Sequence, residues 1–231
     1  MTLHRRDFSR RLIVAAAVGP AGAALLAPAP ARAEAAISEG VQYVRLAEPV
    51  PVAVPGKIEV IEFFWYECPH CNAFEPALEA WSAHVPGDVA FRRVPVWFRE
   101  EPFTIQQRLY YTLEVLGLVP TLHQKVFAAI HRERVRMRTA EDLTAFALKN
   151  GVDPLKFIAA FNSFSVQSKS LQARQVAAAY KIDAVPAMGV NGRYYTNGNL
   201  ANAGASPSGS NDRMLVVVDA LIAKVRQAAR G

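Results

Sequence analysis

Cysteine is nearly missing from this 231-residue chain, which has only Cys68 and Cys71. Two cysteines exclude a disulfide-stapled mini-protein and a four-cysteine zinc domain. Charge is also sparse: Asp, Glu, Lys and Arg make up 20% against 52% apolar residues, a balance that supplies a core and excludes wholesale disorder. No internal repeat is visible, nor any basic patch interleaved with aromatics of the kind that grips nucleic acid. The uncharged run from Leu12 to Ala29 is barely long enough to span a bilayer, and Gly19, Pro20, Gly22 and Pro28 interrupt it.

That run fits an export signal better than an anchor. Arg5-Arg6-Asp7-Phe8 and Arg10-Arg11 precede it, and Ala31-Arg32-Ala33 follows, giving the charged start, apolar middle and small-residue cleavage site of a secretory leader. The twin arginine resembles the bacterial twin-arginine signal. No cysteine lies near the cleavage site, which argues against a lipid anchor. Residues 1–33 are therefore expected to be cleaved, leaving a mature chain that starts near Glu34 in the periplasm. The formal charge of +6 then divides. Removing five arginines and one aspartate from 26 basic and 20 acidic residues leaves 21 and 19, a net +2. The basicity belongs mostly to the leader, and no nucleic-acid partner is expected.

The mature chain alternates two kinds of signal. Residues 49–55 are punctuated by proline, which cannot sit in a central ladder. Lys57 to Tyr66 is apolar at nearly every position, as in a strand buried on both faces. From Cys68 to Val85 the period changes, with Cys71, Phe74, Leu78, Trp81 and Val85 on one helical face. Asp88 to Phe98 reads as another strand. Helical spacing then dominates to about residue 182. Ile105, Leu109, Leu113 and Leu116 share a face; Thr139 with Asp142 suggests a capping box and Gly151 a stop. Asp153-Pro154 opens a short helix lined by Leu155, Ile158 and Phe161, and a polar helix runs from about Ser165 to Tyr180. Val185 to Asn191 is strand-like, with Asn191-Gly192 as a hairpin turn. Residues 197–212 read as a loop, and Met214, Val218, Leu221, Ile222 and Val225 mark a last helix. This order predicts an α/β domain in two parts, residues 34–101 and 183–231, with an all-helical insertion at 102–182.

Cys68-Pro69-His70-Cys71 follows the buried strand directly and opens the helix. A structural disulfide across four residues stabilises by only ~2 kcal/mol and ties nothing distant together. As a metal site the motif offers at most three neighbouring ligands, which converge poorly on one ion; a Cu or Zn thiolate carrier is the minority reading. A dithiol redox centre fits best. Cys68 sits where free N–H groups and the helix dipole stabilise an anion, Pro69 suits the first helical position, and His70 adds positive charge when protonated. All three lower a thiol pKa. Cys71 faces the core with Phe74. Glu67 would oppose the effect if its carboxylate pointed at the sulfur.

The segment Glu62-Phe63-Phe64-Trp65-Tyr66-Glu67-Cys68-Pro69-His70-Cys71, with Val185-Pro186-Ala187-Met188 and Val190-Asn191-Gly192, closely resembles the DsbA family of periplasmic thiol–disulfide oxidoreductases. The element order matches along essentially the whole mature chain. The resemblance implies a thioredoxin fold with an inserted helical domain. It makes Cys68 an exposed nucleophile and Cys71 its buried partner. It makes Pro186 a cis-proline opposite the motif, exposing the Val185 backbone to a substrate strand. It makes Glu62 a buried acid beneath Cys71, with Arg93 as a basic neighbour; read from the residues alone, Glu62 is equally a strand-end charge reaching solvent. Glu67 departs from the family's usual apolar or small residue. The implied activity is donation of the Cys68–Cys71 disulfide to unfolded exported polypeptides, by a monomer with no cofactor or metal, reoxidised by a membrane, quinone-linked DsbB-type enzyme. An isomerase or reductase on the same fold is the rival; the residues from Glu34 to Pro55 are too few for the dimerisation domain isomerases carry. His84, His123 and His131 show no ligand spacing and read as surface or helix-end residues. Trp65, Phe64 and Met188 fit either a substrate groove or the core.

Overall fold

A computed structural model describes residues 37–98, 104–203 and 212–230. The expected leader, residues 1–33, lies outside them. In chain order the elements are β1 (Val44–Arg45), β2 (Ile58–Phe64), α1 (Pro69–Ser82) and β3 (Val89–Pro95), then α2 (Ile105–Val115), α3 (Val119–His131), α4 (Ala140–Lys149), α5 (Pro154–Phe161) and α6 (Phe164–Ala179), and finally β4 (Ala187–Val190), β5 (Tyr194–Asn197), α7 (Gly198–Ala201) and α8 (Asp212–Ala228). The five strands form one mixed sheet in the order β1-β5-β4-β2-β3. β2 is interior, parallel to β3 and antiparallel to β4.

Alternate residues of β2 feed two cores, which is why the strand is apolar on both faces. Val60 joins Phe74 and Leu78 of α1 and Val218, Leu221 and Ile222 of α8. Ile61 and Phe63 join Leu109 and Leu113 of α2, Val126 and Phe127 of α3, and Tyr180. The helical block α2–α6 is therefore one wall of the sheet's core, inserted between β3 and β4. The local signals act as read. Thr139 and Asp142 form a capping box on α4, and Asp153 accepts from the N–H groups of Leu155 and Lys156 on α5. Asn191 and Gly192 turn the β4–β5 hairpin at φ values of 53° and 63°. Gly192 is also required by contact, since a Cβ there would overlap the Val50 carbonyl oxygen.

Two expectations change, and one strand was not foreseen. Leu155 and Ile158 do not line the buried face of α5: they are 79% and 43% exposed, while Phe157, Ala160 and Phe161 are buried. A two-turn helix that is apolar nearly all round gives periodicity nothing to choose between, and packing against α2 and α4 decides. The stretch read as a loop after Asn197 begins with a helical turn, α7, whose Leu200 N–H is capped by Asn197 Oδ1 at 2.9 Å. The edge strand β1 has too few residues to show a period; pairing with β5 creates it.

Candidate active site

β2 ends at Phe64, and four residues later Cys68 caps α1 with extended backbone angles (φ −77°, ψ 116°). Pro69 holds the first helical position, where its missing N–H costs nothing. The Cys68 sulfur accepts from the Cys71 N–H at 3.4 Å. The loop before β4 lies across it: Cys68 Sγ is 3.4 Å from the Val185 carbonyl oxygen, and the Val185–Pro186 peptide is cis. Because of this cover, Cys68 is not the exposed nucleophile expected. It is 7% exposed, and Cys71 is wholly buried. Both are free thiols.

The two sulfurs differ sharply in acidity. The Cys68 thiol is lowered to about 6. A hydrogen bond from the Cys71 thiol is the largest cause; burial opposes it, and the backbone N–H groups of Cys71 and His70 add to it. The charge of His70 is a lesser influence, so the preorganised donors matter more than the imidazole. Burial pushes the Cys71 thiol well above its usual value, and the Cys68 sulfur and Glu62 reinforce the rise. Glu67 does not point at the sulfur. Its Oε1 accepts from Gln106 Nε2 at 3.0 Å and Arg138 Nε at 3.1 Å, which turns the carboxylate toward the helical block.

Glu62 is fully buried, which excludes the solvent-reaching alternative. The β2–β3 register sets Arg93 directly opposite, and its Nε donates to Glu62 Oε2 at 3.1 Å. Arg93 also donates to Glu75 Oε1 and Oε2 at 3.2 and 3.1 Å and to Glu79 Oε2 at 3.0 Å. Glu79 is half exposed, but Glu62 and Glu75 are both buried, and two like charges beside one guanidinium oppose each other's ionisation. Burial, then the charge of Glu75, raises the Glu62 carboxyl well above its usual range. Glu75 goes the other way: burial opposes ionisation, but His123 and Arg93 together lower it. Of the pair, Glu62 is thus the member that holds its proton more tightly. Its Oε1 has no hydrogen-bond partner among the described residues.

His123 is a correction. Expected at the surface, it is 3% exposed, between Glu75 Oε1 at 2.8 Å from Nε2 and the Tyr66 hydroxyl at 2.8 Å from Nδ1. An ionised carboxylate only accepts, so Nε2 carries the hydrogen and Nδ1 accepts from Tyr66. Burial lowers the imidazole pKa and keeps it neutral. Sequence reading missed the linked set Tyr66, Glu75, Glu79 and His123. The available signal was Glu75, four residues after Cys71 on the helical face that carries it. Phe64 and Met188 are fully buried and belong to the core. His70, Phe74, Val185, Pro186, Asn197 and Met214 border a cavity of about 380 Å³ beside the motif. Among the described residues, no three His, Cys, Asp or Glu side chains come together as a metal site.

An acidic, hydrogen-bonded sulfur at a helix start and a buried high-pKa partner one turn on, which the buried Glu62 raises further, make a two-electron dithiol–disulfide couple. Relatives carry the same name for that chemistry. The thiol:disulfide interchange protein DsbA of Azotobacter vinelandii is 42% identical over 222 residues, covering 95% of this chain and 99% of its own. That of Bordetella pertussis is 45% identical over 217 residues, covering 94% and 97%. The chain belongs to the DsbA family. A family model described as a DSBA-like thioredoxin domain matches residues 103–205. The crystal structure of Pseudomonas aeruginosa DsbA superposes with a TM-score of 0.77 at 41% identity, covering 83% of this chain and 96% of that one. The fold is the thioredoxin fold of that family, with a helical insertion, and the chain is a thiol:disulfide oxidoreductase. Among the described residues, no helix is long and apolar enough to cross a membrane.

Proposed function

We propose that the mature chain works in the periplasm as a dithiol oxidase for newly exported, unfolded polypeptides. The opposed acidities of Cys68 and Cys71 carry this reading. A substrate thiolate attacks Cys68 Sγ, the Cys68–Cys71 bond breaks, and a mixed disulfide forms. The Cys71 sulfur leaves as a buried thiolate and takes a proton, for which Glu62, through its unpartnered Oε1, is the assigned donor. A second substrate thiolate attacks the substrate sulfur of the mixed disulfide, and Cys68 leaves as a stabilised thiolate. Two electrons pass from substrate to protein. One proton ends on Cys71, the other is released to solvent, and Glu62 regains its own. Pro69 and His70 shape the helix start. Val185 and Pro186 form the wall where the backbone of a substrate would lie against Cys68. Residues 1–33 would direct export and be removed, and a membrane, quinone-linked DsbB-type enzyme would restore the disulfide of the monomer.

Equilibration with glutathione tests the direction of transfer. A thiolate stabilised only in the reduced form makes the disulfide more oxidising, by ~30 mV for each ~1.4 kcal/mol. The expected potential lies above the glutathione couple. A value near that of thioredoxin, about −270 mV, would make the chain a reductase. Full oxidase activity in Cys68→Ser would refute the mechanism.

A further inference from the structure

The connection from α3 to α4 places Arg132, Arg134, Arg136 and Arg138 within seven positions, all exposed. Its one acid, Glu133, is paired with Lys149 at 2.9 Å. Arg138 is paired with Glu67. Arg132, Arg134 and Arg136 form no ion pair among the described residues. Three uncompensated positive charges therefore stand together on a mature chain that is close to neutral overall.

The loop is tied to the active-site turn at both ends. His131 Nε2 donates to the Tyr66 carbonyl at 2.8 Å, and Arg138 reaches Glu67 at 3.1 Å. Tyr66 and Glu67 are the two residues before Cys68. The backbone between is ordered by Glu133 N–H to Ala128 O at 3.1 Å and Val135 N–H to Ala129 O at 2.9 Å. Arg134, two residues past the α3 C-cap Arg132, takes a left-handed conformation at φ 59°. Positive φ is disfavoured for an L residue, whose Cβ crowds the backbone carbonyl oxygen. Retained strain of this kind concentrates at functional positions. Arg136 borders a cavity of about 280 Å³ with Lys125 and Lys149. The acids on that cavity are already engaged, Glu133 by Lys149 and Asp142 by the capping box.

We propose that residues 132–138 form a docking rim that selects unfolded polypeptides carrying acidic side chains beside the cysteine to be oxidised. The proposal rests on the oxidase reading and adds a substrate class to it. A positive field on a loop tied to the turn that leads into Cys68 raises the encounter rate of such segments and weakens as salt screens it.

The test uses three reduced dithiol peptides of equal length, with Glu, Ser or Lys flanking each cysteine. Their oxidation by the oxidised mature protein is followed by stopped flow. Each rate is divided by the same peptide's rate with the neutral oxidant hydroxyethyl disulfide, which removes the effect of the flanking charge on the substrate thiols. The acidic peptide is expected to outpace the basic one by about three- to tenfold at low salt, and the ratio to approach one in about 0.5 M salt. The ratio should invert in R132E/R134E/R136E and vanish in R132S/R134G/R136S, whose glycine suits the left-handed site. Because each ratio is taken within one protein, a general loss of activity cancels. Equal normalised rates in the wild type, or a wild-type ratio retained in both variants, would overturn the proposal. So would a common change in all three rates that tracks a shifted Cys68 pKa, since the arginines would then act only through the sulfur. A wild type that oxidised none of the peptides would instead sink the oxidase reading, and this inference with it.

Discussion

At the residue scale, the site turns on how differently two sulfurs one helical turn apart are solvated. Cys68 keeps access to preorganised donors, and Cys71 loses water altogether. The alkylation rate of reduced protein with iodoacetamide should therefore rise with pH through a midpoint of about 6, while Cys71 stays unreactive into the alkaline range. Glu67→Gln should leave that midpoint in place, because the carboxylate is held by Gln106 and Arg138 away from the sulfur. A large fall on substitution would show that Glu67 acts on the thiolate after all. Glu62 titrates in the opposite sense. Between 4.5, the ordinary carboxyl value, and its raised value in the fold, the native state holds a proton that the unfolded state has released. The stability it contributes is complete below 4.5 and is lost as pH rises through the folded pKa. Glu62→Gln cannot titrate, so its stability should gain on the wild type as pH rises from 4.5 toward neutrality. Urea denaturation at pH 4, 6 and 7 checks this, and a pH-independent difference would contradict it.

At the element scale, the register of β2 on β3 matters as much as any single group. It sets Glu62 opposite Arg93, and α1 then brings Glu75 and Glu79 onto the same guanidinium. α3 completes the arrangement by inserting His123 between Glu75 and Tyr66, inside a cage of Phe64, Tyr110 and Phe127 rings. Removing its two nitrogens orphans a buried hydroxyl and one contact of a buried carboxylate. His123→Phe is expected to lose about 1–3 kcal/mol of stability in urea denaturation. Glu75 should become harder to ionise, and its carboxylate infrared band should appear at higher pH than in the wild type. A variant as stable as the wild type would mean that packing alone accounts for the histidine.

At the scale of the whole molecule, the helical block and the sheet share one core. Phe64 and Tyr66 from the strand side meet Tyr110 of α2 and His123 and Phe127 of α3. Arg174 of α6 stacks over Trp97, just beyond β3, at 4.6 Å. Such a shared core should unfold cooperatively. Tryptophan fluorescence, which reports Trp65, Trp81 and Trp97 near the sheet, should give the same midpoint as far-UV circular dichroism, which is dominated by the helices. Two separated transitions would show that the insertion folds as an independent domain.

The sequence was enough for the strand, the motif that follows it, the helix caps and the hairpin turn, because each depends on neighbours within a few residues. Cys68 at a helix start, Pro69 behind it, Thr139 with Asp142, and Asn191-Gly192 are local in this sense. Glu62 was legible as an anomaly, a carboxylate on an apolar strand, but its fate was not. Only tertiary contact could decide that Arg93 links Glu62 to Glu75 and that His123 binds Glu75 in turn, that the Val185 loop covers Cys68, that Glu67 turns toward Arg138, and that α5 buries Phe157 rather than Leu155. Each depends on groups brought together across tens of residues, where burial removes water and a neighbouring charge sets which proton stays. Chain periodicity carries no information about either.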